Sequence, residues 1–259
     1  MRPLVKICGI TRVQDAMLAA ALGADFLGLN LFPRSPRSLS LGRAREIADA
    51  VRGQVRTVGV FVNTPTRELM AILDTIGLDF AQLHGDEWPD EVAALGRRAI
   101  KVFRSLPVTP LHLARHPLVW GYLVDTPSAK LFGGTGITWD WRGLRDVRSA
   151  KPILIAGGIS PENVRRALVE SAADGVDVNS GVELGPGLEG AGRSGHGCHP
   201  GHLGSTAPAH HISTDERKHP ISLSRQPVPG NVLRLARTII IPGTRWPLLG
   251  DHAAHSGVV

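Results

Sequence analysis

The chain has 259 residues, of which 42% are hydrophobic and 20% are charged, a composition typical of globular rather than disordered or fibrous proteins. Two cysteines are too few for a disulfide framework, so we expect a reducing, cytoplasmic environment. The apolar runs are shorter than the roughly 18 residues of a membrane helix, and no apolar leader opens the chain, which predicts neither membrane insertion nor secretion.

The net charge of +6 raises the question of nucleic-acid binding. From Leu184 onward, seven Lys or Arg stand against four Asp or Glu, and eight of the eleven histidines lie in the same part. The basic residues there are scattered singly, without clustered aromatic side chains for base stacking. We therefore expect no nucleic-acid partner, and the change in composition indicates two regions, 1–187 and 188–259.

Before Leu184 one theme recurs eight times: a short aliphatic or β-branched run, a polar turn and an amphipathic helical stretch. The runs cover residues 4–8, 26–32, 57–63, 80–84, 100–104, 121–125, 153–156 and 175–179. Ser40 and Ser160 are predicted to begin helices, and Gly77 to end one. Alternation of this kind predicts a parallel sheet.

Eight strand and helix units favour a (β/α)₈ TIM barrel. The alternative is an open, doubly wound sheet. Its dinucleotide fingerprint, G-x-G-x-x-G, is missing from the first strand-to-helix turn at residues 8–11. The spacing therefore predicts the barrel.

Glycines follow the seventh run, where a barrel of this kind commonly binds phosphate. Gly157 and Gly158 lead into a helix N-terminus, whose free N–H groups favour an anion. Asn179, Ser180 and Gly181 follow the eighth run and add donors. The order of these two loops predicts a phosphate site, although paired glycines also serve simply to allow a tight turn.

Cys8 and Asp125 end the first and sixth runs, which places them on different sides of the barrel mouth. An acid that protonates a leaving oxygen and a base that removes a proton from carbon suit an aldose–ketose isomerisation. A thiol with a pKa of about 8.5 is a poor base, and nearby positive charge such as Lys6 is expected to lower that pKa. The alternatives are a small buried hydrophobe for Cys8 and a cap or turn residue for Asp125.

Eight stretches carry a resemblance to a known family. They are KICGIT at 6–11, SPR at 35–37, VGVFVN at 58–63, QLHG at 82–85, LVDT at 123–126, GGTG at 133–136, AGGISPENV at 156–164 and VDVNSGVE at 176–183. In this order, across about the first 187 residues, they resemble the phosphoribosylanthranilate isomerases of tryptophan biosynthesis. The resemblance implies an Amadori rearrangement of N-(5′-phosphoribosyl)anthranilate to 1-(2-carboxyphenylamino)-1-deoxyribulose 5-phosphate, without cofactor or metal.

The resemblance also implies roles for particular residues. Cys8 matches the general base that takes the C2′ proton, and Asp125 matches the general acid that protonates the furanose oxygen. Arg37 matches an arginine near the anthranilate carboxylate, a contact that suits a planar guanidinium. The residues that match the phosphate loops are Gly157, Gly158, Ser180 and Gly181. His84 and Asp177 stand at matching strand ends, each as a structural residue or a substrate contact.

The resemblance stops after Pro186 and Gly187, where the family continues with an amphipathic eighth helix. Here the sequence is rich in Gly, His, Pro and Ser, which makes the eighth helix doubtful and predicts an irregular tail over 188–259. One hypothesis is a shift of the coding frame near codons 184 to 190.

Two other interpretations stay open from the residues. A different phosphosugar barrel, such as a histidine-pathway isomerase, is expected to use paired aspartates, whereas the first strand here offers Cys8. A barrel impaired by its aberrant C-terminus is expected to be inactive or to bind phosphate weakly. The leading prediction is a metal-free and cofactor-free isomerase that acts on a small phosphoribosyl substrate as a monomer or homodimer.

Overall fold

A computed structural model describes residues 2–104, 107–126, 139–185 and 188–189. Its first eight strands are β1 (Leu4–Cys8), β2 (Phe26–Asn30), β3 (Arg56–Phe61), β4 (Phe80–Leu83), β5 (Ala99–Phe103), β6 (Gly121–Val124), β7 (Ile153–Ile155) and β8 (Gly175–Val178). They pair in chain order, all parallel, and β8 pairs with β1 to close the barrel. The glycine-rich stretch 133–136 and the predicted tail from residue 190 onward lie outside the described residues.

The described residues contain six α-helices, which follow from the periodicity of the connecting segments. They are α1 (Val13–Ala21), α2 (Leu41–Ala50), α3 (Thr66–Ile76), α4 (Pro89–Leu95), α5 (Pro110–Ala114) and α6 (Val164–Ser171), with 3₁₀ turns at Gly96–Arg98 and Trp141–Leu144. The hydroxyl of Ser40 accepts the N–H of Arg43 and caps α2, as predicted, and Gly77 ends α3 with a φ of 78°.

One helix start was predicted wrongly. The regular part of α6 begins at Val164, after an N-cap at Asn163, and not at Ser160. The side chain of Asn163 accepts the N–H of Ser160, while the N–H groups of Asn163 and Val164 donate to the carbonyl of Ser160. A turn therefore precedes the helix.

Aromatic side chains fill the lower part of the barrel interior. Phe26 packs edge-on against Phe80 and Trp120, with ring centroids 5.8 and 5.0 Å away. Polar side chains share the interior with these rings: Lys6, in the middle of β1, is the register partner of Phe26 on β2 and of Asp177 on β8. Cys8, His84 and Asp125 stand at or just after the carboxyl ends of their strands, where a (β/α)₈ barrel carries its chemistry.

A short antiparallel hairpin follows the barrel. It consists of β9 (Glu183–Gly185) and β10 (Leu188–Glu189), so the first two residues of the predicted tail form a strand. Across the described part of the chain, we find no helix with the length and hydropathy to span a membrane.

Candidate active site

Lys6 and Cys8 lie two residues apart on β1 and therefore share the face that points into the barrel. Lys6 is fully buried and Cys8 is 7% exposed. The Lys6 ammonium donates to Oδ1 of Asp177 at 2.9 Å, and its charge also acts on Cys8. A Cβ at Gly28 on β2 would lie 2.7 Å from the Cys8 sulfur and 2.9 Å from Nζ of Lys6. Only glycine at that position leaves room for this pair.

The electrostatics of Cys8 differ from the sequence-based expectation. Burial raises the pKa of Cys8 to about 11, and Asp177 acts in the same direction, while Lys6 acts against both. Lys6 acts in the predicted direction, but burial outweighs the ammonium, so the pKa of this thiol lies above its ordinary value rather than below it. For Lys6 itself, burial would lower the pKa, but the charges of Asp177 and Cys8 raise it, so the side chain stays protonated.

Asp125 follows β6 and is almost fully buried. Its Oδ1 accepts the backbone N–H of Thr126 at 2.7 Å, and its Oδ2 lies 3.4 Å from Nε2 of His84. That separation is too long or too poorly aligned for a good hydrogen bond, since Nε2 of His84 has no hydrogen-bond partner within the described residues. Gln82 contacts the other ring nitrogen of His84 at 3.3 Å. The two predicted residues, Asp125 and His84, are thus brought together at the mouth.

A buried ion pair fixes the loop that carries His84. Lys101 on β5 donates to the carbonyl of Gly85 at 2.9 Å and to Glu87 at 2.5 Å. The other carboxylate oxygen of Glu87 accepts the N–H groups of Asn63 and Gly85. Burial would raise the pKa of Glu87, but Lys101 lowers it below its ordinary value. This pair was not predicted from the sequence, although Lys101 stands within an apolar strand run.

Arg37 and Glu183 face each other at the opposite rim of the mouth. Nε and Nη2 of Arg37 donate to the two carboxylate oxygens at 2.6 and 2.5 Å, and both side chains are buried. Gly9 makes this approach possible: its φ is 81°, and a Cβ there would lie 2.6 Å from Cδ of Arg37 and 2.8 Å from Oδ1 of Asn179. Glu183 was quoted within VDVNSGVE but given no role, because nothing local marks it as the partner of Arg37.

The loops after β6, β7 and β8 are in contact at their glycines. Gly157 has a φ of 86°, and a Cβ there would lie 1.9 Å from Oγ1 of Thr126. A Cβ at Gly181 would lie 2.0 Å from the carbonyl oxygen of Ile159. The structure therefore brings together the two loops that the sequence analysis assigned to phosphate, and side chains at these positions would push them apart.

Backbone donors collect where these loops meet. The N–H groups of Gly158, Ile159, Ser180 and Gly181 donate to no acceptor within the described residues. The backbone N–H of Ser160 is not among them, because it donates to the side chain of Asn163 at 2.8 Å. Oδ1 of Asn179, an acceptor, is buried without a hydrogen-bond partner in that part of the chain, and it lies beside Gly9, where a Cβ would be 2.8 Å away. The four N–H donors of the two loops suit an anion.

The arrangement combines a thiol, a carboxyl group, an arginine and an anion-binding loop pair around one barrel mouth. In the described ranges, no cluster of three or more His, Cys, Asp or Glu side chains is arranged to hold a metal ion. A thiol and a carboxyl group are able to transfer protons, and a guanidinium and backbone N–H groups are able to bind anions.

Comparison with known proteins decides the family. A family model described as N-(5′phosphoribosyl)anthranilate (PRA) isomerase matches residues 5–191. The chain belongs to the phosphoribosylanthranilate isomerase family. The isomerase of Rubrobacter xylanophilus is 43% identical over 187 residues, which cover 71% of this chain and 91% of that relative. The isomerase of Geotalea daltonii is 45% identical over 179 residues, or 69% of this chain and 86% of that relative.

Solved structures agree with this assignment. The phosphoribosylanthranilate isomerases of Thermus thermophilus and Thermotoga maritima are 36% and 32% identical, with TM-scores of 0.65 and 0.63. Each match covers 72% of this chain and 92% of the other. The predicted family, TIM-barrel fold and isomerase activity in tryptophan biosynthesis are confirmed. The family match ends at residue 191, close to the predicted end of the resemblance at Gly187.

Proposed function

We propose that Cys8 is the general base and Asp125 the general acid with which this isomerase rearranges N-(5′-phosphoribosyl)anthranilate. The observation that carries the proposal is their placement at the ends of β1 and β6, on different sides of one closed barrel. Both side chains are largely withdrawn from water, so a proton passed to or from either one goes to bound substrate rather than to solvent.

The reaction then runs in two proton transfers. Protonated Asp125 donates its proton to the furanose ring oxygen, the C1′–O bond breaks, and the nitrogen lone pair forms a C1′=N bond. The Cys8 thiolate removes the proton from C2′, the new C1′=C2′ enolamine becomes neutral, and tautomerisation gives the 2′-ketone. Because the N–H of Thr126 donates to Oδ1 of Asp125, Oδ2 is the oxygen that transfers the proton.

The two anionic ends of the substrate find separate partners. Arg37 binds the anthranilate carboxylate, with its guanidinium plane oriented by Glu183. Gly157, Gly158, Asn179, Ser180 and Gly181 form the phosphate site, mainly through backbone N–H groups. A related isomerase, 31% identical with a TM-score of 0.60 over 72% of this chain and 92% of its own, was crystallised with reduced 1-(o-carboxyphenylamino)-1-deoxyribulose 5-phosphate. That compound carries one carboxylate and one phosphate, which supports this division.

Residues 1–187 form the catalytic domain in this proposal, and the enzyme works without cofactor in the cytoplasm. The proposed oligomeric state is a monomer or a homodimer. A related isomerase from Thermotoga maritima is described as dimeric and as convertible to monomers.

The decisive experiment follows the loss of fluorescence of freshly generated N-(5′-phosphoribosyl)anthranilate with the full chain. We expect turnover in the parent and a loss of at least about 100-fold in both Cys8→Ala and Asp125→Asn. Gly42→Ala, on helix α2 with no atom within 4 Å of the added Cβ, is the matched control and should retain activity. A chain that melts cooperatively but does not turn over substrate would contradict the proposal and favour an impaired, phosphate-binding barrel.

A further inference from the structure

Lys6 is a buried charge that the two proton transfers above do not use. Its side chain is fully inaccessible to solvent, inside the barrel. Lysine is rarely buried to this degree, because the ammonium loses its hydration, and an apolar residue would fill the space at lower cost. Packing alone therefore does not explain why a lysine is buried at this position.

The position of the ammonium relative to Cys8 supplies that reason. Nζ of Lys6 donates to Oδ1 of Asp177, and it lies on the same side of Gly28 as the sulfur of Cys8, since a Cβ at Gly28 would be 2.9 Å from Nζ and 2.7 Å from Sγ. Strand register enforces the arrangement, since Asp177 is the partner of Lys6 on β8 and Gly28 is the partner of Cys8 on β2. Both Nζ and Sγ crowd the space that a side chain on Gly28 would occupy.

The charges around the thiol have opposite effects on it. Lys6 favours the thiolate, and Asp177 disfavours it. The charges of Asp125 and His84, which follow other strands of the barrel, in turn act on Asp177. A thiolate enclosed this far from water needs a counter-ion, and Lys6 is the cation whose charge acts on Cys8.

We propose that Lys6 is the positioning residue of this active site: its ammonium is the counter-ion of the Cys8 thiolate, and Asp177 competes for it. The inference rests on the proposed role of Cys8 as the base. In the resting site the ammonium is shared with the Asp177 carboxylate, and deprotonation of Cys8 draws it toward sulfur. When the thiolate takes the C2′ proton, Cys8 becomes a neutral thiol and the ammonium again pairs with Asp177 alone.

Two variants should change the pKa of the Cys8 thiol in opposite directions. Asp177→Asn removes the competitor and the negative charge, so the thiolate forms at lower pH. Lys6→Met combined with Asp177→Asn removes the cation as well, so the thiolate forms at higher pH. The single change Lys6→Met would leave Asp177 buried without its counter-ion and risks unfolding, which is why the charge-neutral double variant is used.

The experiment measures the rate of Cys8 alkylation by iodoacetamide between pH 7 and 10, by mass spectrometry. All proteins are full chains that also carry Cys198→Ser, which removes the second thiol, and circular dichroism melts verify folding. At pH 8 we expect Asp177→Asn to react about tenfold faster than the parent, and the double variant at least tenfold more slowly than Asp177→Asn. A change in the access of iodoacetamide to Cys8 would not by itself make the alkylation rate rise in one variant and fall when the charge of Lys6 is also removed.

Two results would overturn the proposal. One is a folded double variant whose alkylation follows the same pH dependence as Asp177→Asn. The other, which stands even if the double variant unfolds, is an Asp177→Asn protein that reacts no faster than the parent. Turnover by Cys8→Ser is measured separately: activity retained there would contradict the role of Cys8 as base, whereas the order of alkylation rates tests only the pairing of Lys6 with the thiolate.

Discussion

The guanidinium of Arg37 and the carboxylate of Glu183 form a bidentate ion pair although 146 residues separate them in the chain. The pair joins the loop after β2 to the first residue of β9, beyond β8. Two elements on either side of β1 are thereby held together, and the guanidinium of Arg37 is fixed by a residue of β9, after the barrel.

Breaking that pair from one side should destabilise the protein strongly. In Glu183→Gln the buried guanidinium loses its charged partner, and we expect the free energy of unfolding to fall by about 3 kcal/mol. Removing both charges in Arg37→Met with Glu183→Gln should cost less than the sum of the two single changes. Urea denaturation at pH 7 measures all three variants.

The exposed pair Arg43 and Glu46 provides the control, because its N–O distance is also 2.5 Å but both side chains face solvent. Glu46→Gln should change the free energy of unfolding by less than about 1 kcal/mol. Equal effects of Glu46→Gln and Glu183→Gln would contradict the importance of burial.

The pH dependence of turnover should report the thiol. Because burial raises the pKa of Cys8 to about 11, the thiolate fraction of the free enzyme grows about tenfold per pH unit below that value. We expect the residual kcat/KM of Asp125→Asn, whose amide has no acid proton to lose, to rise with nearly that slope from pH 7 to 9, and the residual rate of Cys8→Ala to lack it. The assay uses substrate well below KM, with added viscogen to show that diffusion is not limiting; a flat profile would argue against a thiolate base in the free enzyme.

Gly181 should be intolerant of a side chain. A Cβ there would lie 2.0 Å from the backbone oxygen of Ile159, so Gly181→Ala must separate the loops after β7 and β8. We expect inhibition by inorganic phosphate to weaken about tenfold, because the backbone donors no longer converge. Competition assays with phosphate measure this directly.

Gly42→Ala is again the matched change, since the same added methyl group meets no atom within 4 Å. It lies in α2, where alanine is favoured over glycine, and should raise the free energy of unfolding by about 0.5–1 kcal/mol without altering phosphate inhibition. Unchanged phosphate inhibition in Gly181→Ala would remove the loop pair from the proposed site.

His116 should make the protein sensitive to mild acid. Burial, together with the positive charges of Lys101 and Arg115, lowers the pKa of His116 to about 4. Between pH 6.5 and 4 the unfolded chain therefore binds a proton that the folded chain does not, and stability falls as the pH drops through that window. His116→Phe should flatten this loss, as measured by urea denaturation at pH 7, 5.5 and 4.5.

The exposed His112 is the control for this effect. His112→Phe should leave the acid sensitivity of the parent in place. If His116→Phe and the parent lose stability in parallel from pH 7 to 4.5, another group causes the loss.

Much of the site was predictable because chemistry in a parallel barrel is placed at strand ends. The eight apolar runs give the strand order, and the last residues of each run, such as Cys8 and Asp125, must then face one mouth. The glycines after β7 and β8 were recognisable because they follow strand ends. Gly157 also has a φ of 86°, a local backbone conformation that favours glycine. The start of α6 was not predictable in this way. The side chain of Asn163 accepts the N–H of Ser160, and a turn precedes the helix.

The amino-acid sequence by itself determined the fold class, the family and the identity of the groups at the mouth. Tertiary structure alone decided which groups pair and how they ionise. Glu183 became the partner of Arg37, and Lys101 of Glu87, through contacts that join different strands and loops. The direction of the Cys8 pKa depended on the balance between burial and one ammonium. Both outcomes arise from distance and exclusion of water, which exist only once the barrel has closed.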